Sequence, residues 1–130
     1  VRYILTNFYT NKPDGLIGNE DCGQMSAWYV MSSLGFYPVN PSNGVYVFGS
    51  PLFDKATLKL PDGKTFTVEA INNSKENIYI QSVELNGKAY SKSYINHKDI
   101  MNGGVLKFVM GNTPNYKFGA AISDRPKSAL

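Results

Sequence analysis

The chain has 130 residues, 42% apolar and 13% aromatic, which is enough for one domain with a real hydrophobic core. Thirteen basic against ten acidic residues leave a net charge of +3, spread along the chain, so no electrostatic footprint for nucleic acid exists. One cysteine excludes an internal disulfide, one histidine excludes a site built on two imidazoles, and no apolar run reaches the length of a membrane span.

Val1 to about Thr10 reads as the end of an amphipathic helix, with Tyr3, Ile4, Leu5, Phe8 and Tyr9 as its stripe. No start signal precedes that stripe, and the chain opens on Val1 without a Met or a leader, so a segment of a longer protein is expected. Asn11-Lys12-Pro13-Asp14-Gly15 closes the helix as a turn cluster, and Gly15-Leu16-Ile17-Gly18 forms a short loop ahead of two adjacent carboxylates. Asp21, followed three residues later by Gln24, has the form of a capping box, which predicts Asp21 as the cap of a helix starting at Cys22 or Gly23. Behind it, Met25/Trp28/Tyr29 and Ala27/Val30/Met31/Leu34 form two interleaved apolar sets at helical spacing. A short helix apolar almost all round is a buried one. Gly35 stands where a left-handed cap would end it, and Pro38 forbids continuation.

After Pro38 the period changes from helix to strand. Val45-Tyr46-Val47-Phe48 suits a covered strand, while Ala56/Leu58/Leu60 and Phe66/Val68/Ala70 alternate with polar residues as half-buried strands do. Pro61-Asp62-Gly63-Lys64 between them predicts a hairpin. Ile78 to Leu85 is a further strand whose inward set shifts from Ile78/Ile80 to Val83/Leu85, predicting a bulge near Ser82. Asn86-Gly87 turns it into Lys88-Ala89-Tyr90; Ser93-Tyr94-Ile95 is a short edge strand, and His97 to Met101 makes one helical turn. Val105 to Met110 is the last strand, and the segment from Ser123 to Ser128 reads as a frayed tail.

The fold expected is α+β: two N-terminal helices followed by an antiparallel β-sheet or sandwich of about seven short strands. Residues 1–39 form the helical part carrying the acidic loop, 40–118 the β-rich part and 119–130 the tail. One small sheet does not hide a helix that is apolar all round, so the helices are expected to lie against a partner that this stretch lacks.

On chemistry alone Asp21 is a helix cap worth about 1 kcal/mol. The order of residues says more. Gly18-Asn19-Glu20-Asp21-Cys22-Gly23-Gln24-Met25-Ser26-Ala27-Trp28-Tyr29-Val30, followed by Leu34-Gly35-Phe36-Tyr37-Pro38-Val39, resembles the C-terminal signature of the glycoside hydrolase family 92 exo-α-mannosidases. The resemblance implies that the two helices are a remnant of an (α/α)6 barrel and that the acidic loop lines the sugar site. It makes Asp21 the general base of an inverting displacement, with Asn19 and Glu20 as substrate contacts; Glu20 fits equally a place facing the metal or a plain solvated or salt-bridged residue. The family's acid, a glutamate, would lie upstream of this chain. Chemistry agrees on Asp21: a carboxylate at a helix N-terminus is favoured in its charged form, which suits a base and not an acid.

Many family members carry an aspartate where this chain has Asn19, so any help that carboxylate gives to the water falls here to an amide. The resemblance further implies calcium in the parent enzyme, a mannose-containing glycan as substrate and an extracytoplasmic location. No spacing in this chain makes a self-contained calcium loop, so the metal ligands stay unassigned and tight binding by this stretch alone is not expected. Gln24 fits the capping box, Trp28 fits core packing, and His97 fits an exposed turn. Asn72-Asn73-Ser74 matches a glycosylation acceptor, a pattern too common to weigh. The alternative reading is a carbohydrate-binding or structural β-module without catalysis, which leaves the acidic loop unexplained.

Overall fold

The computed structural model describes residues 1–127; residues 128–130 of the expected tail lie outside the described residues. Two helices lead, α1 (Arg2–Asn7) and α2 (Gln24–Leu34), followed by eight strands and one short helix. The strands are β1 (Phe36–Tyr37), β2 (Val45–Phe48), β3 (Lys55–Lys59), β4 (Thr65–Ile71), β5 (Tyr79–Leu85), β6 (Lys88–Ala89), β7 (Tyr94–Asn96) and β8 (Gly104–Gly111), with α3 (His97–Met101) before β8. They form a three-stranded sheet, β1-β2-β7, and a five-stranded sheet, β3-β4-β8-β5-β6. No helix among the described residues is long and apolar enough to cross a membrane.

Local signals carried most of this. Asp62-Gly63 closes the β3–β4 hairpin, with Lys59 opposite Thr65 and the Lys64 N–H donating to Asp62 Oδ1 at 3.1 Å. The register of β5 against β8 shifts between Ile80 and Ser82, where the inward set changes parity. Asn86-Gly87 joins β5 to β6, and β7 is the edge of its sheet. Two features differ from expectation. The ladder between β4 and β8 is parallel while every other ladder is antiparallel. Alternation decides which face a strand buries, not the direction of its neighbour. The tail is also tied at Ile122–Asp124, a 3-10 turn. The Asp124 carbonyl takes the Ser93 N–H at 2.8 Å and the Ser93 hydroxyl at 3.1 Å, and Asp124 Oδ1 takes the Ser91 hydroxyl at 3.0 Å. These bonds satisfy polar groups beside the β7 edge that would otherwise face water.

The core lies between the sheets. Phe36, Ile95, Phe66, Leu106, Phe108 and Met110 are fully buried, and Phe48 meets Phe108 edge to face at 5.1 Å across the sheets. Helix α2 reaches this core only with its last turn, where Ser32, Ser33 and Leu34 are buried. Farther toward its start Val30 is 55% exposed, and on α1 Tyr3 is 68% exposed. The expectation of a buried helix therefore holds at one end, because the sheets cover that end alone. Gly35 stops the helix with φ +100, its N–H bonding back to Met31 and Ser32 carbonyls. A Cβ there would sit 3.0 Å from Pro51 Cβ and 3.2 Å from Phe108 Cε2.

Sequence reading assigned Arg2 no role, yet it is buried. Its guanidinium donates to the Pro51 carbonyl, to the Ser74 carbonyl at 3.0 Å and to Asn73 Oδ1 at 2.5 Å. One side chain thus lashes α1 to the loops after β2 and β4.

Two stability predictions follow from these contacts. Gly35→Ala combines a left-handed backbone, about 1–2 kcal/mol for a residue with a Cβ, with overpacking of about 1–3 kcal/mol. Urea unfolding should report a loss of at least about 2 kcal/mol, and a loss under 1 kcal/mol would refute the crowding. Arg2→Met keeps length but strands one buried acceptor at Pro51 and two part-buried ones at Asn73 and Ser74, and should lower unfolding free energy by about 3 kcal/mol in the same assay.

Candidate active site around the acidic turn

Thr10 to Gly15 closes on itself, with the Thr10 N–H on the Gly15 carbonyl at 2.9 Å and the Gly15 N–H on the Lys12 carbonyl at 3.0 Å. The chain then reaches α2 through three successive left-handed residues: Asp21 at φ +49, Cys22 at +59 and Gly23 at +91. Only Gly23 adopts this region without steric cost. Gly23, not Asp21, occupies the N-cap position of α2, and no N-cap side chain bonds to the helix.

The opening N–H groups of α2 are nevertheless satisfied. Gln24 N–H donates to the Asp21 carbonyl at 3.3 Å, and Met25 N–H to the Glu20 carbonyl at 3.4 Å. Ser26 N–H donates to the Glu20 carboxylate at Oε1, 3.1 Å away. The predicted capping box between Asp21 and Gln24 is therefore not formed. A capping box needs its first residue in an extended conformation, and Asp21 is left-handed at φ +49, so that condition is not met. The longer Glu20 side chain reaches the helix instead.

The two neighbouring carboxylates thus end in opposite environments. Glu20 is half-buried, with Oε2 enclosed and without a hydrogen-bond partner. Asp21 and Asn19 are exposed. No side-chain hydrogen bond engages the Asp21 carboxylate among the described residues. Cys22 is an exposed thiol of the turn.

An aromatic cluster backs the turn. Tyr9, buried, stacks on Trp28 with centroids 5.6 Å apart and meets Tyr29 at 5.1 Å. Trp28 therefore packs against its neighbours, as the helix face suggested. Burial, and secondarily the Glu20 carboxylate, push the Tyr9 phenol above its ordinary pKa. Beside the cluster lies a cavity of about 450 Å3 whose walls include Tyr9, Asn11, Leu16, Ser26 and Tyr29 but not Asn19, Glu20 or Asp21. His97 is exposed at the β7–α3 junction, stacked on Tyr46 with its Nδ1 3.1 Å from the Tyr46 hydroxyl.

The donor set of the turn is hard oxygen, the type calcium prefers. Among the described residues, however, no group of three or more His, Cys, Asp or Glu is placed to hold a metal ion. With Glu20 turned inward, the turn by itself does not fit a calcium site. What it offers is one exposed carboxylate, Asp21, and an exposed neutral amide, Asn19.

The sequence profile of the glycosyl hydrolase family 92 catalytic domain matches residues 1–112. A protein of Arthroderma benhamiae described as an uncharacterized secreted glycosidase is 38% identical over 129 residues, 97% of this chain and 16% of that protein. A family GH92 α-mannosidase of Bacteroides thetaiotaomicron, solved in complex with mannoimidazole, superposes with a TM-score of 0.93 at 45% identity, covering 98% of this chain and 17% of that one. A family GH92 inverting mannosidase from the same organism gives 0.91 at 42% identity, again over 98% of this chain and 17% of its own. The chain thus spans about a sixth of the length of these relatives. With the acidic turn, both leading helices and all eight strands inside the matched stretch, this chain belongs to glycosyl hydrolase family 92.

Proposed function

We propose that the protein containing this chain is an exo-α-mannosidase that hydrolyses mannose-containing glycans with inversion, and that Asp21 is the base that takes a proton from the attacking water. The observation that carries this reading is the contrast within the turn: Asp21 is exposed while Glu20 is tied to the helix. Inverting hydrolysis needs a carboxylate free on the water side and a protonated acid across the scissile bond, about 6.5–9.5 Å away. The acid comes from outside this chain. The relatives solved as an α-mannosidase with mannoimidazole and as an inverting mannosidase support the substrate and the stereochemistry.

Asn19 stands one residue from Glu20 and is exposed, so its amide contacts sugar hydroxyls or the water itself. Glu20, expected at the sugar, has Oε1 committed to Ser26 and Oε2 enclosed, so a direct substrate contact from it requires the turn to open. Residues 1–39 serve as the site-bearing helical part and 40–118 as the β-part that supports it. The remainder of the parent chain covers the bare apolar face of α1 and α2, including Tyr3, Ile4 and Val30. Export of the enzyme is supported by the Arthroderma relative, whose description calls it secreted. Calcium is proposed from the family resemblance, its ligands coming mainly from outside the described residues.

Asp21→Asn in the full-length protein tests the central assignment. Asn tolerates the left-handed region at least as well as Asp, so the fold should persist. Turnover should fall by about 10²-fold or more, and an activated leaving group should not restore it, because the missing step is deprotonation of water. Near-normal turnover would end the catalytic reading. Chelation should lower turnover of the full-length protein and added calcium should restore it, whereas added calcium should not move the thermal unfolding of this chain alone. Activity unaffected by a chelator would remove calcium from the proposal.

A further inference from the structure

We infer that Glu20 is a positioning residue, whose carboxylate clamps the left-handed turn to the start of α2 and so sets where the Asp21 oxygens lie. This rests on the reading of Asp21 as the base. Two residues with a Cβ, Asp21 and Cys22, stand side by side in the left-handed region, which is costly unless something holds them there. Beside the ordinary helical bond from the Ala27 N–H to the Gly23 carbonyl at 2.9 Å, three bonds tie Glu20 and Asp21 to the helix. The two made by backbone carbonyls are long, 3.3 Å from Asp21 and 3.4 Å from Glu20. The one made by Glu20 Oε1 is the shortest at 3.1 Å and has an ionisable acceptor, which makes it the strongest of the three.

The path of the side chain fits this role. Glu20 Oε1 passes 3.9 Å from where a Cβ on Gly23 would begin, so the carboxylate folds over the last residue of the turn. Its second oxygen is enclosed, without a donor and out of reach of a substrate. A ligand-binding carboxylate would present that oxygen to solvent. The neighbour presents its carboxylate instead: Asp21 is exposed, its backbone carbonyl is held only by the long bond from Gln24, and no side-chain hydrogen bond among the described residues engages its carboxylate. A base displaced by about 1 Å can lose about a hundredfold in rate, so the clamp bears on turnover without touching substrate.

The test uses the full-length protein with three variants: Asp21→Asn, Glu20→Gln and Glu20→Met. Gln keeps an oxygen acceptor at the same reach, while Met keeps length and removes the acceptor. Glu20→Gln should hold kcat and KM within about threefold of the parent. Glu20→Met should lose at least about tenfold in kcat with KM within about threefold, and its solvent deuterium isotope effect on kcat should rise as proton transfer becomes limiting. Partial unfolding would lower kcat without raising the isotope effect. Equal losses in Gln and Met, a KM rise in place of a kcat loss, or no loss in Met would each overturn the clamp. If Glu20→Met does not fold, Glu20→Gln decides: retained kcat keeps the acceptor as what the site needs, and a tenfold loss overturns it. Normal turnover in Asp21→Asn would instead overturn the base reading and the clamp with it, whereas an inactive Asp21→Asn beside failed Glu20 results would remove the clamp alone.

Discussion

The junction at Gly35 is the constraint on which the rest of the molecule depends. There the chain leaves α2 and enters β1 within one residue, at a backbone angle of φ +100, with Pro51 and Phe108 pressed against the site a side chain would fill. The carbonyls on either side are taken by the chain after β2. Ser33 accepts the N–H groups of Leu52 at 2.9 Å and Phe53 at 3.4 Å, and Gly35 accepts that of Gly49 at 2.9 Å. The end of the helix is therefore built into the sandwich by backbone bonds as well as by Leu34 and Phe36. A helix of 11 residues is a rigid rod of roughly 16 Å, so fixing one end in the β-core sets the region in which the acidic turn at the other end must stand.

A rod held at one end still needs a support at the other. Tyr9 provides it by stacking on Trp28 and Tyr29, while Arg2 ties α1 into the loops at Pro51 and Asn73–Ser74. The segment after α1 thus packs on α2 through Tyr9, while α1 itself is held by the loops after β2 and β4. Between these supports the outward faces of α1 and α2 remain apolar and uncovered. Large apolar side chains left exposed on both helices offer packing surface to another element.

Much of the β-part was legible because its signals are local. Alternation gave the inward faces of β3 and β4, a parity change gave the bulge near Ser82, and Asp62-Gly63 and Asn86-Gly87 gave the turns. What sequence could not give depended on distant partners. The parallel neighbour of β4, the buried guanidinium of Arg2 and the anchoring of Asp124 at Ser93 all join segments at least 31 residues apart. Membership of the family was legible from the order of residues around Asp21, and the profile match agrees with it. The division of work inside that motif was not. Asp-x-x-Gln implies a cap only if its first residue is extended, and the left-handed run from Asp21 to Gly23 breaks that condition. A glycine at the third position was the one signal available, since it permits such a run without requiring it.

The geometry of the turn also bears on why two carboxylates can stand side by side where one free negative charge is wanted. Unit charges about 6 Å apart repel by about 0.7 kcal/mol in water and by about 3 kcal/mol at the effective dielectric of a partly enclosed protein site. Leaving both oxygen pairs open would set each carboxylate against the ionisation of the other. Directing Glu20 onto the Ser26 N–H places one negative charge at the positive end of the helix dipole, where one backbone donor answers it. Asn19 adds hydrogen-bonding capacity on the other side without adding charge. The exposed residues of the turn then include a single carboxylate, Asp21, with Asn19 two residues before it and the Cys22 thiol after it.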